Sequence, residues 1–175
     1  MKKHIQILSS LIFLTLPACF ESSQAKDDLQ KPAVAAVANT DCAHDDKTFR
    51  CVEVLKNYDG DTLTVNIPNV PALIGKKISV RVHGIDTPEV KTKNQCEKEA
   101  GRMARNLVTS TLKNAKSIEL HNVQRDKYFR ILADVMVDGR SLKDVLLKNN
   151  LAYAYDGGTK QHPDWCKSLR QPASK

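Results

Sequence analysis

Glycine and proline are scarce in this chain of 175 residues, with seven of each. That excludes a collagen-like repeat and a Gly/Pro-rich low-complexity chain. No internal repeat is visible, and the longest apolar stretch, residues 5–17, is shorter than the ~20 residues a helix needs to cross a bilayer. The five cysteines include no Cys-x-x-Cys or Cys-x-x-His pair, so the spacing of a zinc site is missing. Acidic residues are outnumbered: 27 Lys and Arg against 20 Asp and Glu leave a formal net charge of +7. Such an excess points weakly toward polyanions, either nucleic acid or an anionic membrane, and does not choose between them. With 41% hydrophobic and 27% charged residues the balance is that of a globular protein.

The first segment reads as an export signal over residues 1–25. Two lysines in Met1–His4 precede Ile5–Pro17, an apolar run broken only by Gln6, Ser9, Ser10 and Thr15. Two processing sites stay open. Leu16-Pro17-Ala18-Cys19 has the form of a lipoprotein cleavage site, with Cys19 as the lipidated residue. Ser23-Gln24-Ala25 instead offers small residues for ordinary cleavage before Lys26. Without Cys19 an even set remains: Cys42, Cys51, Cys96 and Cys166. In an exported domain these favour two disulfides, for which three connectivities exist. Residues 26–47 lack periodicity and read as a tether, leaving 48–175 as one folded domain.

Within that domain, residues 49–58 alternate weakly and end at the hairpin-type turn Asp59-Gly60. Thr62–Ile67 alternates cleanly, with Leu63, Val65 and Ile67 on one face. After a loop marked by Pro68, Pro71 and Gly75, the residues Ile78, Val80 and Val82 give a third strand. Ala100, Met103, Ala104, Leu107, Val108, Thr111 and Leu112 recur at helical spacing, which predicts an amphipathic helix over Gln95–Asn114. Ile118, Leu120 and Val123, then Ile131–Val137, predict two more strands, and Leu142, Val145 and Leu146 a shorter helix. Five short, mostly hairpin-linked strands suit a small, partly open barrel of the OB type: α+β, mainly β, with two or three flanking helices.

Three polar clusters fall at strand ends or on strand faces: Asp59-Gly60-Asp61-Thr62, Arg81 to Glu89, and Arg125 to Arg130. Taken singly, each is explained by a turn, a solvated loop or an exposed hairpin end. Together they place three carboxylates and two arginines on neighbouring strands, the ingredients of metal-assisted phosphoryl chemistry. The motifs DGDT (Asp59–Thr62), RVHGIDTPE (Arg81–Glu89) and RDKYFR (Arg125–Arg130), with the segment 138–151 and the tyrosines Tyr153 and Tyr155, resemble the thermonuclease (staphylococcal nuclease-like) family. The resemblance covers residues 52–155 in matching order.

The resemblance implies an OB-fold nuclease that hydrolyses DNA and RNA with the help of one calcium ion. It implies that Asp61, Asp86 and the carbonyl of Thr87 hold the metal, that Glu89 activates water, and that Arg81 and Arg130 stabilise the charge developing on phosphate. Asp59 would stand behind the ligands, and Lys127, Tyr128, Tyr153 and Tyr155 would line the nucleotide pocket. The chemistry is coherent: hard oxygens suit calcium, forked guanidinium donors match phosphate, and a tyrosine ring stacks a base without reading it. No protein partner is implied, the protein is expected as a monomer, and a membrane enters only through a lipid on Cys19. Two departures concern Phe129, where the family usually has glycine, and the short stretch after Tyr155.

The cysteines can then be paired. Cys42 and Cys51 are close in sequence and would tie the tether to the first strand. Cys96 begins the first helix, and Cys166 follows tyrosines that the resemblance places beside the cleft, so those two should join. Rival functions are a non-catalytic OB module that binds nucleic acid, and a structural envelope lipoprotein. A binding module would not need Asp61, Asp86, Glu89, Arg81 and Arg130 together.

Overall fold

The computed structural model describes residues 42–171. The expected signal segment, Cys19 and the expected tether as far as Asp41 lie outside the described residues. Eight strands and four helices follow in chain order. They are β1 (Glu53–Asn57), β2 (Thr62–Asn66), α1 (Ala72–Gly75), β3 (Ile78–Val82), β4 (Ile85–Asp86) and α2 (Gln95–Lys113). There follow β5 (Ile118–Arg125), β6 (Ile131–Val137), β7 (Arg140–Ser141), α3 (Leu142–Lys148), β8 (Tyr153–Ala154) and α4 (Trp165–Arg170). The five expected strands and both expected helices are present. The additions are α4, the one-turn α1 in what reads as loop, and three two-residue strands.

The main sheet runs β1-β2-β3-β6-β5, with β7 against β6. All of these pairs are antiparallel except β3 with β6, where Val80 faces Ile131 in parallel. Phe49 bridges Leu120, and Val52 N–H donates to the Ile118 carbonyl at 3.0 Å. These bonds return β5 to the chain just before β1 and curl the sheet into the OB barrel. Period-two alternation does the work: Leu63 and Val65 of β2, Val80 and Val82 of β3, and Ala133, Val135 and Val137 of β6 are buried. A register shift between His121 and Gln124 bends β5, as a bulge does.

Helix α2 starts where Asn94 Oδ1 accepts the Glu97 N–H at 3.1 Å, an N-cap just before the first expected helical residue, Gln95. Its inner face is small: Ala100, Gly101, Ala104 and Val108 are buried. That lets the helix lie close to the loop that follows β4. Leu142 and Leu146 of α3 complete the core.

Both cysteine pairs form. Cys96, in the first turn of α2, is bonded to Cys166 in α4 with Cα atoms 5.0 Å apart, and Cys42 to Cys51 at 5.4 Å. Residues 42–47 are fastened to the barrel. His44 Nε2 donates to the Pro68 carbonyl at 2.6 Å, and Val123 N–H to the Lys47 carbonyl at 3.0 Å.

Candidate active site

One end of the barrel opens into a cleft of about 470 Å³ whose walls include Asp59, Asp61, Arg81, Asp86, Glu89, Lys127, Tyr128, Arg130 and Tyr155. Motifs more than sixty residues apart are thus brought together by β2, β3 and the β5–β6 hairpin. The cross-strand pair Thr62–Arg81 aligns the first motif with the second.

Asp59 is a turn-former. Its Oδ1 accepts the N–H groups of Asp61 and Thr62 at 3.0 and 2.7 Å. Burial raises its pKa, opposed by the Thr62 N–H and the charges of Arg81 and Arg130. The turn delivers Asp61, which is buried. Asp61 Oδ2 accepts from both the N–H and the hydroxyl of Thr87, at 2.9 and 2.8 Å. Its other oxygen, Oδ1, meets Arg81 Nη1.

Arg81 bridges two motifs. Its Nη2 donates to Asp86 Oδ1 at 2.6 Å and to the Ile85 carbonyl at 3.0 Å. The second Asp86 oxygen accepts from the Tyr153 hydroxyl at 2.7 Å and faces Lys160 Nζ at 3.1 Å. Burial pushes the Asp86 carboxyl up, but Tyr153, Lys160 and Arg81 outweigh it and hold the pKa below the usual range. Burial first, then the hydrogen bond to Asp86 and the charge of that carboxylate, raises Tyr153 far above an ordinary phenol. Tyr153 is therefore turned toward Asp86, in an adjoining hollow with Trp165, while Tyr155 lines the main cleft. The two-residue pair β4–β8, with Asp86 opposite Tyr153, causes this.

Glu89 stands at the rim and is the most accessible of these carboxylates, its side chain 53% exposed. Its backbone N–H reaches Glu97 Oε1 at 3.4 Å, and Glu97 Oε2 accepts the Thr92 hydroxyl at 2.7 Å. Two glycines seat this loop. A methyl group at Gly101 would come within 2.7 Å of the Pro88 carbonyl oxygen and 2.9 Å of the Glu89 carbonyl carbon. One at Gly60 would lie 2.8 Å from Thr87 Cγ2.

Arg130 is set by Asp126, whose Oδ1 accepts the N–H groups of Tyr128 and Arg130 at 2.8 and 2.9 Å. Asp126 Oδ2 accepts from Arg130 Nε at 2.7 Å, a bond that leaves both terminal amino groups uncommitted to Asp126. Burial raises the Asp126 pKa, but Arg130 and the hairpin amides outweigh it, and the carboxyl titrates below its ordinary value.

The family model described as "Staphylococcal nuclease homologue" matches residues 79–175, more than half of the chain. The chain belongs to that family. Among its relatives, Endonuclease YncB of Bacillus subtilis (strain 168) is 32% identical over 177 residues, covering 89% of this chain and 81% of that protein. The SPbeta prophage-derived endonuclease YokF of the same organism is 36% identical over 67% of this chain but only 39% of its own length. Thermonuclease of Staphylococcus hyicus is 27% identical over 86% of this chain and 78% of its own. The staphylococcal nuclease model begins after Asp59–Thr62, yet the Asp61–Thr87 bonds put that motif in the same site as the part matched.

Lys160, Asp126, Gly60 and Gly101 were not singled out as site residues by the sequence. Lys160 lies 3.4 Å from Glu89 Oε1 as well as beside Asp86. Burial alone would lower its pKa, but its bonds to the two carboxylates raise it. It sits in a loop without periodicity, 71 residues from Glu89, and only the fold brings them together.

Proposed function

We propose that this chain is an exported, calcium-dependent endonuclease that hydrolyses phosphodiester bonds of DNA or RNA with low sequence specificity. The observation that carries the reading is the joining of both arginines and the acidic residues of three separate motifs in one cleft large enough for a nucleotide. The names of the relatives point the same way. The two disulfides suit an oxidising compartment outside the cytoplasm.

The donor set suits calcium. Asp61 and Asp86 are buried carboxylates held on one guanidinium, so they stand within a guanidinium's width of each other, and Thr87 follows Asp86 directly. Among the described residues no group of three or more His, Cys, Asp or Glu is gathered tightly enough to hold a metal by itself. Two carboxylates, the Thr87 carbonyl and water would complete the shell, an all-oxygen set that calcium accepts. When bound, the ion supplies positive charge that offsets the anionic phosphate.

The protein's own residues supply the rest. The exposed Glu89 carboxylate takes the proton from the attacking water. Arg130, its Nε held by Asp126, presents its two terminal amino groups to a phosphate oxygen pair, and Arg81, whose terminal nitrogens lie on Asp61 and Asp86, adds a second positive charge beside it. Both stabilise the transition state as charge builds on the equatorial oxygens. Tyr128 and Tyr155, with Lys127, receive the nucleotide. Low specificity follows, because these groups address phosphate and ring faces rather than base edges. Purified protein should degrade plasmid DNA or RNA in calcium and stop in a chelator. Intact nucleic acid under both conditions would contradict the reading and favour a binding module.

A further inference from the structure

Phe129 lies outside the cleft, at the tip of the β5–β6 hairpin, between two of its wall residues, Tyr128 and Arg130. It is the most exposed aromatic side chain among the described residues, at 81% of its full surface. Its backbone φ is +61°, in the left-handed region that glycine enters freely and a bulky residue adopts only under strain. Of the other non-glycine residues there, Asn69, Asn122, Asp138 and Asn150 have short polar side chains that tolerate the conformation, and Phe129 is the one aromatic. Neither burial nor turn chemistry accounts for a phenyl ring at this place.

The surroundings suggest what does. Tyr128 beside it is 66% exposed. Arg125 stands 5.7 Å from the Phe129 ring centre, and Lys127 and Arg130 each stand 5.4 Å from that of Tyr128. Two solvent-facing rings flanked by three cations form the combination by which single-stranded nucleic acid is held: cations on the backbone and rings under the bases. Resting on the nuclease reading above, we propose that Phe129 is a stacking platform for an unpaired base next to the nucleotide in the cleft. It would extend the site by one base and bias it toward single-stranded substrate, since bases stacked within a duplex cannot offer a free face.

The test compares wild type with Phe129→Gly and Phe129→Tyr, in EDTA so that nothing is cut. Fluorescence anisotropy reads the affinity for a labelled single-stranded dT octamer and for an 18-base-pair duplex, and calorimetry that for thymidine 5′-monophosphate. Removing the ring should weaken the octamer about fivefold or more, the range for losing one base–aromatic stack. Monophosphate and duplex affinities should stay within about twofold. Phe129→Tyr should restore octamer binding, and Phe129→Gly should melt no lower than wild type because the backbone strain is relieved. Octamer binding unchanged in Phe129→Gly would overturn the platform while leaving the nuclease reading intact. So would an equal loss for octamer and monophosphate, which would mean a reshaped cleft, or a changed oligomeric state in sedimentation. A wild-type protein that binds neither strand would overturn the platform, and one that also cuts neither strand in calcium would overturn the nuclease reading itself.

Discussion

Replacing Gly101 by alanine tests how the loop that carries Glu89 is held. In an exposed helix interior the change gains about 1 kcal/mol, because alanine is the better helix former. Here the new methyl would meet three backbone atoms of the 88–89 segment, with the Pro88 oxygen at 2.7 Å, the Glu89 carbonyl carbon at 2.9 Å and the Glu89 oxygen at 3.0 Å. None of these atoms can turn aside as a flexible side chain would. Overpacking of this kind costs about 1–3 kcal/mol, enough to cancel the helical gain and leave a net loss of up to about 2 kcal/mol. The alternative to strain is movement, in which the 88–89 backbone retreats from α2 and carries Glu89 with it. A shift approaching 1 Å at a catalytic group can lower turnover about a hundredfold. Urea denaturation gives the first quantity, and kcat on a single-stranded oligonucleotide the second. Gly101→Ala protein that is more stable than wild type with unchanged kcat would refute the seating of Glu89 by α2.

Arg81→Lys should lose about a hundredfold or more in kcat, since one ammonium cannot serve Asp61, Asp86 and the Ile85 carbonyl as the guanidinium fork does. Near-normal kinetics would remove Arg81 from the mechanism. Replacing Cys96 and Cys166 together by serine should lower stability by about 4 kcal/mol in the chain-entropy model, given the 70-residue separation. Guanidinium unfolding that shifts by less than ~1 kcal/mol would show that the crosslink does little. Asp126 predicts a pH dependence. Its native pKa is depressed, so its stabilising effect is complete above the unfolded value of about 3.9 and fades as pH falls through the lower native value. Urea titrations of wild type and Asp126→Asn should therefore differ at pH 7, draw together as pH falls below about 4 and meet only below the native value. A constant difference across that range would contradict the assignment.

The barrel was legible because its long strands and α2 carry many periods of their pattern. Leu63 and Val65, or Val80 and Val82, announce one buried face each. The two-residue strands β4 and β8 carry no period at all, so the pairing of Asp86 with Tyr153 could not be read. Tyr153 accordingly reads as part of the nucleotide pocket, whereas the fold turns its hydroxyl to Asp86. Met103 shows the limit of helical spacing. It occupies an apolar position yet is 46% exposed, because Gly101 joins Ala100 and Ala104 on the inner face. Motif residues were recognisable by their grouping and order. What positions them was not, since Asp126 looked like one charge among several and Gly101 like an ordinary helical residue.

Glu89→Gln tests the central claim most directly, because it removes the proposed base and leaves the arginines and the Asp61–Asp86 pair untouched. Single-turnover cleavage of a labelled oligonucleotide in calcium should fall about 10²–10⁴-fold, while anisotropy shows the strand still bound within about twofold of wild type. Cleavage at the wild-type rate with binding intact would show that Glu89 does not take the proton and that the chemistry assigned to this cleft is wrong.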